Sequence, residues 1–339
     1  MTIKWLLASG AAVTALTVGV AQAQTLDAVR ANGELICGVS TGLAGFSNPD
    51  SEGNWSGLDV DVCRALAAAV LGDADAVSFV PLTAQQRFTA LQSGEVDLLS
   101  RNTTHTLSRD TSLGLNFAPI TYYDGQGFMV PRDLGVTSAL ELDGATVCVQ
   151  PGTTTELNLS DYFRANGMEF QPVVIESLDE VNAAFFAGRC DVYTTDASGL
   201  ASIRATVAPN PADYAILPEI ISKEPLGPAV RHGDDQWFDI VSWTVRALIE
   251  AEELGITSEN VDSFADTTNP SIQRLLGITA GMGEALGLEE SWAHDAIAQV
   301  GNYGEIFERN VGVNTPLGLE RGLNAQWTDG GLMYAAPAR

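Results

Sequence analysis

Apolar positions along the chain fall into two alternating rhythms. Residues 34–40 form a short apolar run of strand type. Residues 58–71 then set Val62, Leu66, Ala69 and Val70 at helical spacing and end at Gly72. Residues 77–81 read as a strand. Thr83 caps a helix that carries Phe88 and Leu91 and stops at Gly94, and residues 95–100 read as the next strand. The second half returns to the same order. Strands are predicted over 145–150, 173–175 and 190–194, with helices over 153–165 and 178–187 and a stop at Gly188. A β-α-β-α-β order of this kind predicts an α/β fold with a mostly parallel sheet in each half.

The two halves also match residue by residue at one place. Residues 91–99 align with 185–193 at an offset of 94, pairing Gly94 with Gly188 and Asp97 with Asp191. The same offset pairs Asn102 with Asp196, each just past the carboxyl end of its strand. Ligands of open α/β sheets bind beyond those ends. Two similar lobes facing each other across a cleft are therefore expected.

The chain's two ends follow different patterns. Lys4, an apolar run over residues 5–20 and the small-x-small step Ala21-Gln22-Ala23 predict an export leader, residues 1–23, cleaved after Ala23. No later apolar run reaches the roughly 18 residues of a membrane span, so an exported, soluble chain is expected. From about residue 258 to 339, helical spacing recurs over 272–276 and 292–300, interrupted by Gly281, Gly283 and Gly287. Helices packed on the first lobe are expected there.

Charge removes two classes of partner. With 43 acidic and 17 basic side chains in 339 residues, the formal charge is −26. A nucleic-acid binder needs a basic face to neutralise phosphates, and an anionic membrane surface needs the same. Cys37, Cys63, Cys148 and Cys190 are the only cysteines. None pairs at C-x-x-C spacing and none has a histidine within four residues, which argues against a zinc site. Export favours two disulfides. Three pairings are open, as are buried free thiols. Cys37–Cys63 with Cys148–Cys190 is favoured, because each pair stays within one half.

Candidate chemistry gathers at the strand ends. Residues 100–109 are rich in hydroxyls and carry Arg101 and Arg109. A guanidinium grips a carboxylate through two parallel hydrogen bonds. Thr153 and Glu156 have the spacing of a capping box, and the free N–H groups of that helix start attract an anion. Asp196 can hold an ammonium. Carboxylate grips on two walls and an ammonium partner on one describe a receptor for an α-amino acid zwitterion. No G-x-S-x-G, H-E-x-x-H or P-loop occurs. The loop 50–54 is no calcium loop, since Trp55 stands where glycine is needed. His105 is the one candidate base. His105 and Trp55 are also candidates for the cleft mouth.

Longer stretches carry a family resemblance. Residues 38–47, 57–61, 79–88, 100–104, 121–129, 152–156, 188–196 and 221–230 resemble periplasmic amino-acid-binding proteins of ABC transporters. The likeness is strongest to the general L-amino acid-binding, or glutamate/glutamine/aspartate/asparagine-binding, group. It implies the two-lobed periplasmic binding protein-like fold (type II), with a C-terminal helical extension and hinge crossings near 124–126 and 223–225. Lobe 1 would then hold residues 24–124 and 226–339, and lobe 2 residues 125–225. By the same resemblance Arg109 clamps the α-carboxylate, with Thr104 assisting. Asn102 and Asp196 meet the ammonium, and Thr154, beside Thr153, donates its N–H from the other lobe. Leu43 and Phe46 of the first loop complete the expected contacts. Leu43 replaces a stacking aromatic residue and Ser40 an acid, which removes selectivity for basic side chains. Arg101 either reaches a side-chain carboxylate or amide, favouring acidic and amide amino acids, or points to solvent or pairs with an acid. A monomer is implied, with no cofactor, an amino-acid ligand and a membrane permease as partners. The same fold also serves periplasmic dehydratases and sensor modules, the alternative readings.

Overall fold

The computed structural model describes residues 25–339, and the expected leader lies outside them. Two five-stranded sheets organise the chain. In the first, strand Leu35–Val39 lies between Val77–Pro81 and Leu98–Leu99 and is parallel to both. Ala229–Arg231 then runs antiparallel to Leu98–Leu99 and to Leu115–Phe117. In the second, Thr146–Val149 lies parallel between Gln171–Val174 and Val192–Asp196. Gln126–Pro131 runs antiparallel to Val192–Asp196 and to Tyr214–Ile216.

The two sheets correspond strand for strand, and in each four of the five strands point the same way, as expected, while one, Ala229–Arg231 or Gln126–Pro131, runs against them. The cause is the crossing between lobes. Gln126 and Ala229 open the strands that arrive from the other lobe, and they pair with Asp196 and Leu99 at the carboxyl ends of the parallel strands. A strand entering at that end must run the opposite way. The crossings themselves pair, Tyr122–Asp124 antiparallel to Glu224–Leu226, and form the hinge. Lys223, just before the second hinge strand, is exposed.

The offset-94 repeat has a structural basis. Gly94 and Gly188 end their helices in the left-handed region, at φ 80° and 73°. A residue with a Cβ pays a penalty there that glycine avoids. Asp97 and Asp191 then do the same work: each accepts, at 2.8 Å, the N–H of the neighbouring strand, from Ile36 and Thr146. Both disulfides form in the favoured pairing, Cys37–Cys63 and Cys148–Cys190, each inside one lobe.

The tail is helical and covers lobe 1. Helix Trp292–Val300 packs across Leu58–Leu71 and the long helix Asp235–Glu253, and Tyr303–Asn310 packs on the same pair. It also reaches the hinge. Asn324 accepts from the N–H of Tyr123 at 2.6 Å and donates to its carbonyl at 3.2 Å, and the Tyr303 hydroxyl donates to the Thr121 carbonyl.

Candidate functional site

The lobes meet over the strand ends. Asn102 Nδ2 donates to Asp196 Oδ2 at 3.3 Å, so the residues matched by the internal repeat face each other across the cleft. Thr104 and Thr154 hydroxyls lie 3.3 Å apart, and Thr83 donates to Glu176 at 2.7 Å. Between these contacts is a cavity of about 40 Å³.

One wall is cationic. Arg87, Arg101 and Arg109 are all buried. Arg101 Nε donates to the Leu82 carbonyl at 2.9 Å, and Arg109 Nη1 to the Thr104 carbonyl at 2.9 Å. Arg87 reaches Thr103 Oγ1 only at 3.4 Å, and its Nε has no partner among the described residues. Arg87 and Arg109 both stack on the Phe88 ring, 4.7 and 4.9 Å from its centroid. Burial lowers the pKa of Arg101 and of Arg109 to about 10 and holds Arg87 well below the arginine range. Guanidinium groups with donors to spare in a desolvated wall suit a carboxylate.

The opposite side is anionic. Asp196, on the helix start after its strand, is 7% exposed. Burial first, then Asp124 and Glu224, push its pKa well above the carboxylate range. Burial also raises Asp124 to about 6. Glu224 is buried on the hinge strand and accepts from Thr104 at 2.6 Å, Thr154 and Asn158 at 2.8 Å, and Ser222 at 2.6 Å. A cationic wall opposite an anionic one matches the two ends of a zwitterion.

The loop between them is held from behind. Asn102 is the one non-glycine residue with positive φ (33°) among those described. Its N–H donates to Asp59 Oδ2 at 2.8 Å. Burial raises Asp59 to about 7, against the pull of that N–H and of Arg101. Strained backbone of this kind persists where surrounding bonds over-determine it.

Leu43, Arg101, Asn102, Thr104, Thr153, Thr154 and Asp196 line the cavity. Arg109 stands behind Thr104 and is not among the lining residues. Phe46 is a core residue instead: its ring meets Tyr122 edge-on at 5.3 Å, and its carbonyl takes the Asp59 N–H. The capping box is shifted by one. Thr153 Oγ1 accepts from Glu156 N–H, but Glu156 takes the Gly152 N–H rather than that of Thr153. His105 stacks on Phe117 at 4.5 Å and Trp55 packs on Phe79, both away from the cavity lining. The candidate base thus has no place at the cavity. Sequence reasoning missed Arg87 and Glu224. The first lies just beyond the strand 77–81, inside the stretch 79–88 that carries the resemblance without an assigned role, and the second lies in a hinge segment read only as a connection.

Comparison with known proteins places the chain. The model of the bacterial extracellular solute-binding proteins, family 3, matches residues 35–260. The chain belongs to that family. This solute-binding protein is 62% identical, over 98% of each chain, to the general L-amino acid-binding periplasmic protein AapJ of Rhizobium johnstonii. It is 61% identical, over 97% of each, to the glutamate/glutamine/aspartate/asparagine-binding protein BztA of Rhodobacter capsulatus. A solved periplasmic binding protein of an ABC transporter from Brucella ovis, with glutathione bound, superposes with a TM-score of 0.91 at 59% identity, over 94% of this chain and 100% of that one. These relatives are named as binding proteins, and this family member is likewise a binding protein rather than an enzyme. No helix among its described residues is long and apolar enough to cross a membrane.

Proposed function

We propose that this protein captures L-amino acids in the interlobe cleft, favours acidic and amide side chains, and delivers them to the permease of an ABC transporter. The observation that carries the reading is the opposition of buried charge, Arg87, Arg101 and Arg109 against Asp196. The α-carboxylate would be held by Arg109 with the Thr154 N–H, whose position in the first helical turn leaves it without an intrahelical acceptor. The ammonium would be held by Asp196 and Asn102, with Arg101 and Arg87 left for a side-chain carboxylate. Lobe 1 (24–124 and 226–339) and lobe 2 (125–225), already in contact across the cleft without a ligand, would part to admit the ligand and close again on it, and its desolvation strengthens its charge-assisted bonds. The protein would work as a periplasmic monomer after loss of residues 1–23.

A second ligand class follows from the Brucella relative. Glutathione carries a γ-glutamyl end with a free α-carboxylate and ammonium, so the same grips suit it. A cavity of about 40 Å³ would have to widen for a tripeptide.

Calorimetry against glutamate, glutamine, leucine, lysine and glutathione tests both, with product analysis after incubation. Arg101→Ala should weaken glutamate more than leucine. Equal losses would remove Arg101 from side-chain recognition, and turnover of a bound amino acid would overturn the carrier reading.

A further inference from the structure

Glu224 has an environment that the grip just described does not use. It sits on the second hinge strand, 1% exposed. Its Oε2 accepts from Thr104 of lobe 1 at 2.6 Å and from Thr154 of lobe 2 at 2.8 Å. Its Oε1 accepts from Asn158 of lobe 2 at 2.8 Å and from Ser222 at 2.6 Å. Four donors fill the lone-pair sites of this one carboxylate. One side chain on the pivot therefore bonds to both moving bodies.

The hydroxyls bear a second consequence. Each carries a single proton. Once Thr104 and Thr154 have donated to Glu224, each offers only lone pairs to the cavity that both line. Lone pairs suit an ammonium and repel a carboxylate.

We propose that Glu224 is the positioning residue that couples hinge to cleft: it ties Thr104 to Thr154 and Asn158 in the closed form, and it turns both threonine hydroxyls into acceptors for a ligand ammonium. The coupling stands without any ligand. The acceptor role rests on the amino-acid reading, and glutamate is the probe for it. Glutarate, which has both carboxylates and no ammonium, is the control.

The experiment uses the full mature chain. Small-angle scattering without ligand reads the lobes, and competition calorimetry with stopped-flow reads glutamate and glutarate. Glu224→Gln should enlarge the unliganded radius of gyration. It should speed glutamate release at least tenfold, with an association rate within threefold of the parent. It should also cut the preference for glutamate over glutarate at least tenfold, a ratio that loss of packing alone would not move. Asn158→Ala removes one lobe-2 tether and leaves both threonines in place. It should enlarge the radius and keep the preference. An unchanged radius in both variants overturns the coupling. An equal loss for glutamate and glutarate overturns the acceptor role. If Glu224→Gln does not fold, Asn158→Ala and Thr154→Val decide, an unchanged radius in the first or an unchanged preference in the second counting against the proposal. If the parent binds no amino acid, the amino-acid reading fails alone, and the scattering arm still decides the coupling.

Discussion

Replacing Asp196 with asparagine should move affinity and stability in opposite directions. The carboxylate is 7% exposed and accepts one side-chain bond, from Asn102 at 3.3 Å. It caps its helix without a side-chain bond of its own. Burial, with Asp124 and Glu224 nearby, disfavours its charge. Asparagine keeps the shape and removes that charge, so the unliganded protein should hold its melting temperature at pH 7.5 or gain. A ligand ammonium, by contrast, loses its anionic partner in a desolvated cleft. Removing one member of such a buried pair costs about 3–5 kcal/mol, equivalent to about 150- to 5,000-fold in Kd. The loss should be shared by glutamate and leucine, because both present the same α-ammonium. Calorimetry for affinity and scanning calorimetry without ligand read the two quantities separately. Asp196→Asn affinity within threefold of the parent would refute the ammonium assignment. A fall of more than about 3 °C in the unliganded melting temperature, roughly 2 kcal/mol for a chain of this size, would refute the claim that its charge is a burden.

Other outcomes follow from the same geometry. Asp59 is raised from 3.8 to about 7, so the folded state holds that proton more tightly than the unfolded chain. Its contribution is complete below about pH 4 and is lost as pH rises through about 7; Asp59→Asn should flatten that part of the stability–pH curve, and an identical curve counts against the reasoning. The Cys148–Cys190 bridge spans 42 residues. Chain-entropy loss of that size is worth about 4 kcal/mol. Cys148→Ser with Cys190→Ser should lower denaturant stability by an amount of that order, while ligand affinity, measured by calorimetry on the folded fraction, stays within threefold. Gly94→Ala and Gly188→Ala meet no neighbouring atom within 4 Å at their new Cβ. Each should therefore show only the left-handed penalty of about 1–2 kcal/mol, and urea titrations giving widely different losses would break the structural equivalence of the two caps.

Local signals were the most legible part of the chain. The helix Leu58–Leu71 ends where its spacing and Gly72 place the stop. The Gly94 and Gly188 caps follow from a short repeat because each depends on neighbours in sequence, and the same repeat sets Asn102 and Asp196 at equivalent strand ends, although their contact spans 94 residues. The one opposed strand in each sheet was less legible, since it depends on which strand returns across the hinge. Glu224 shows the limit most clearly. Its partners Thr104, Thr154 and Asn158 lie 120, 70 and 66 residues away. No periodicity links an acid in a connecting segment to hydroxyls at such separations. Arg87 was hidden by its helix, where a cation beside Phe88 reads as a surface residue until the fold turns it into the cavity wall. Phe46 erred the other way, a large aromatic residue in a candidate loop that the core absorbs.

The hinge also carries the chain's only lysine beyond Lys4, the exposed Lys223. Apart from the chain's own α-amine, an amine-reactive reagent therefore has one target in residues 25–339, and it lies one residue from Glu224. A fluorophore attached there would report on the pivot itself. A sensor chip that immobilises proteins through lysine would tether this one at the pivot and hinder the motion it was meant to measure, so capture through an engineered terminus is the sounder geometry.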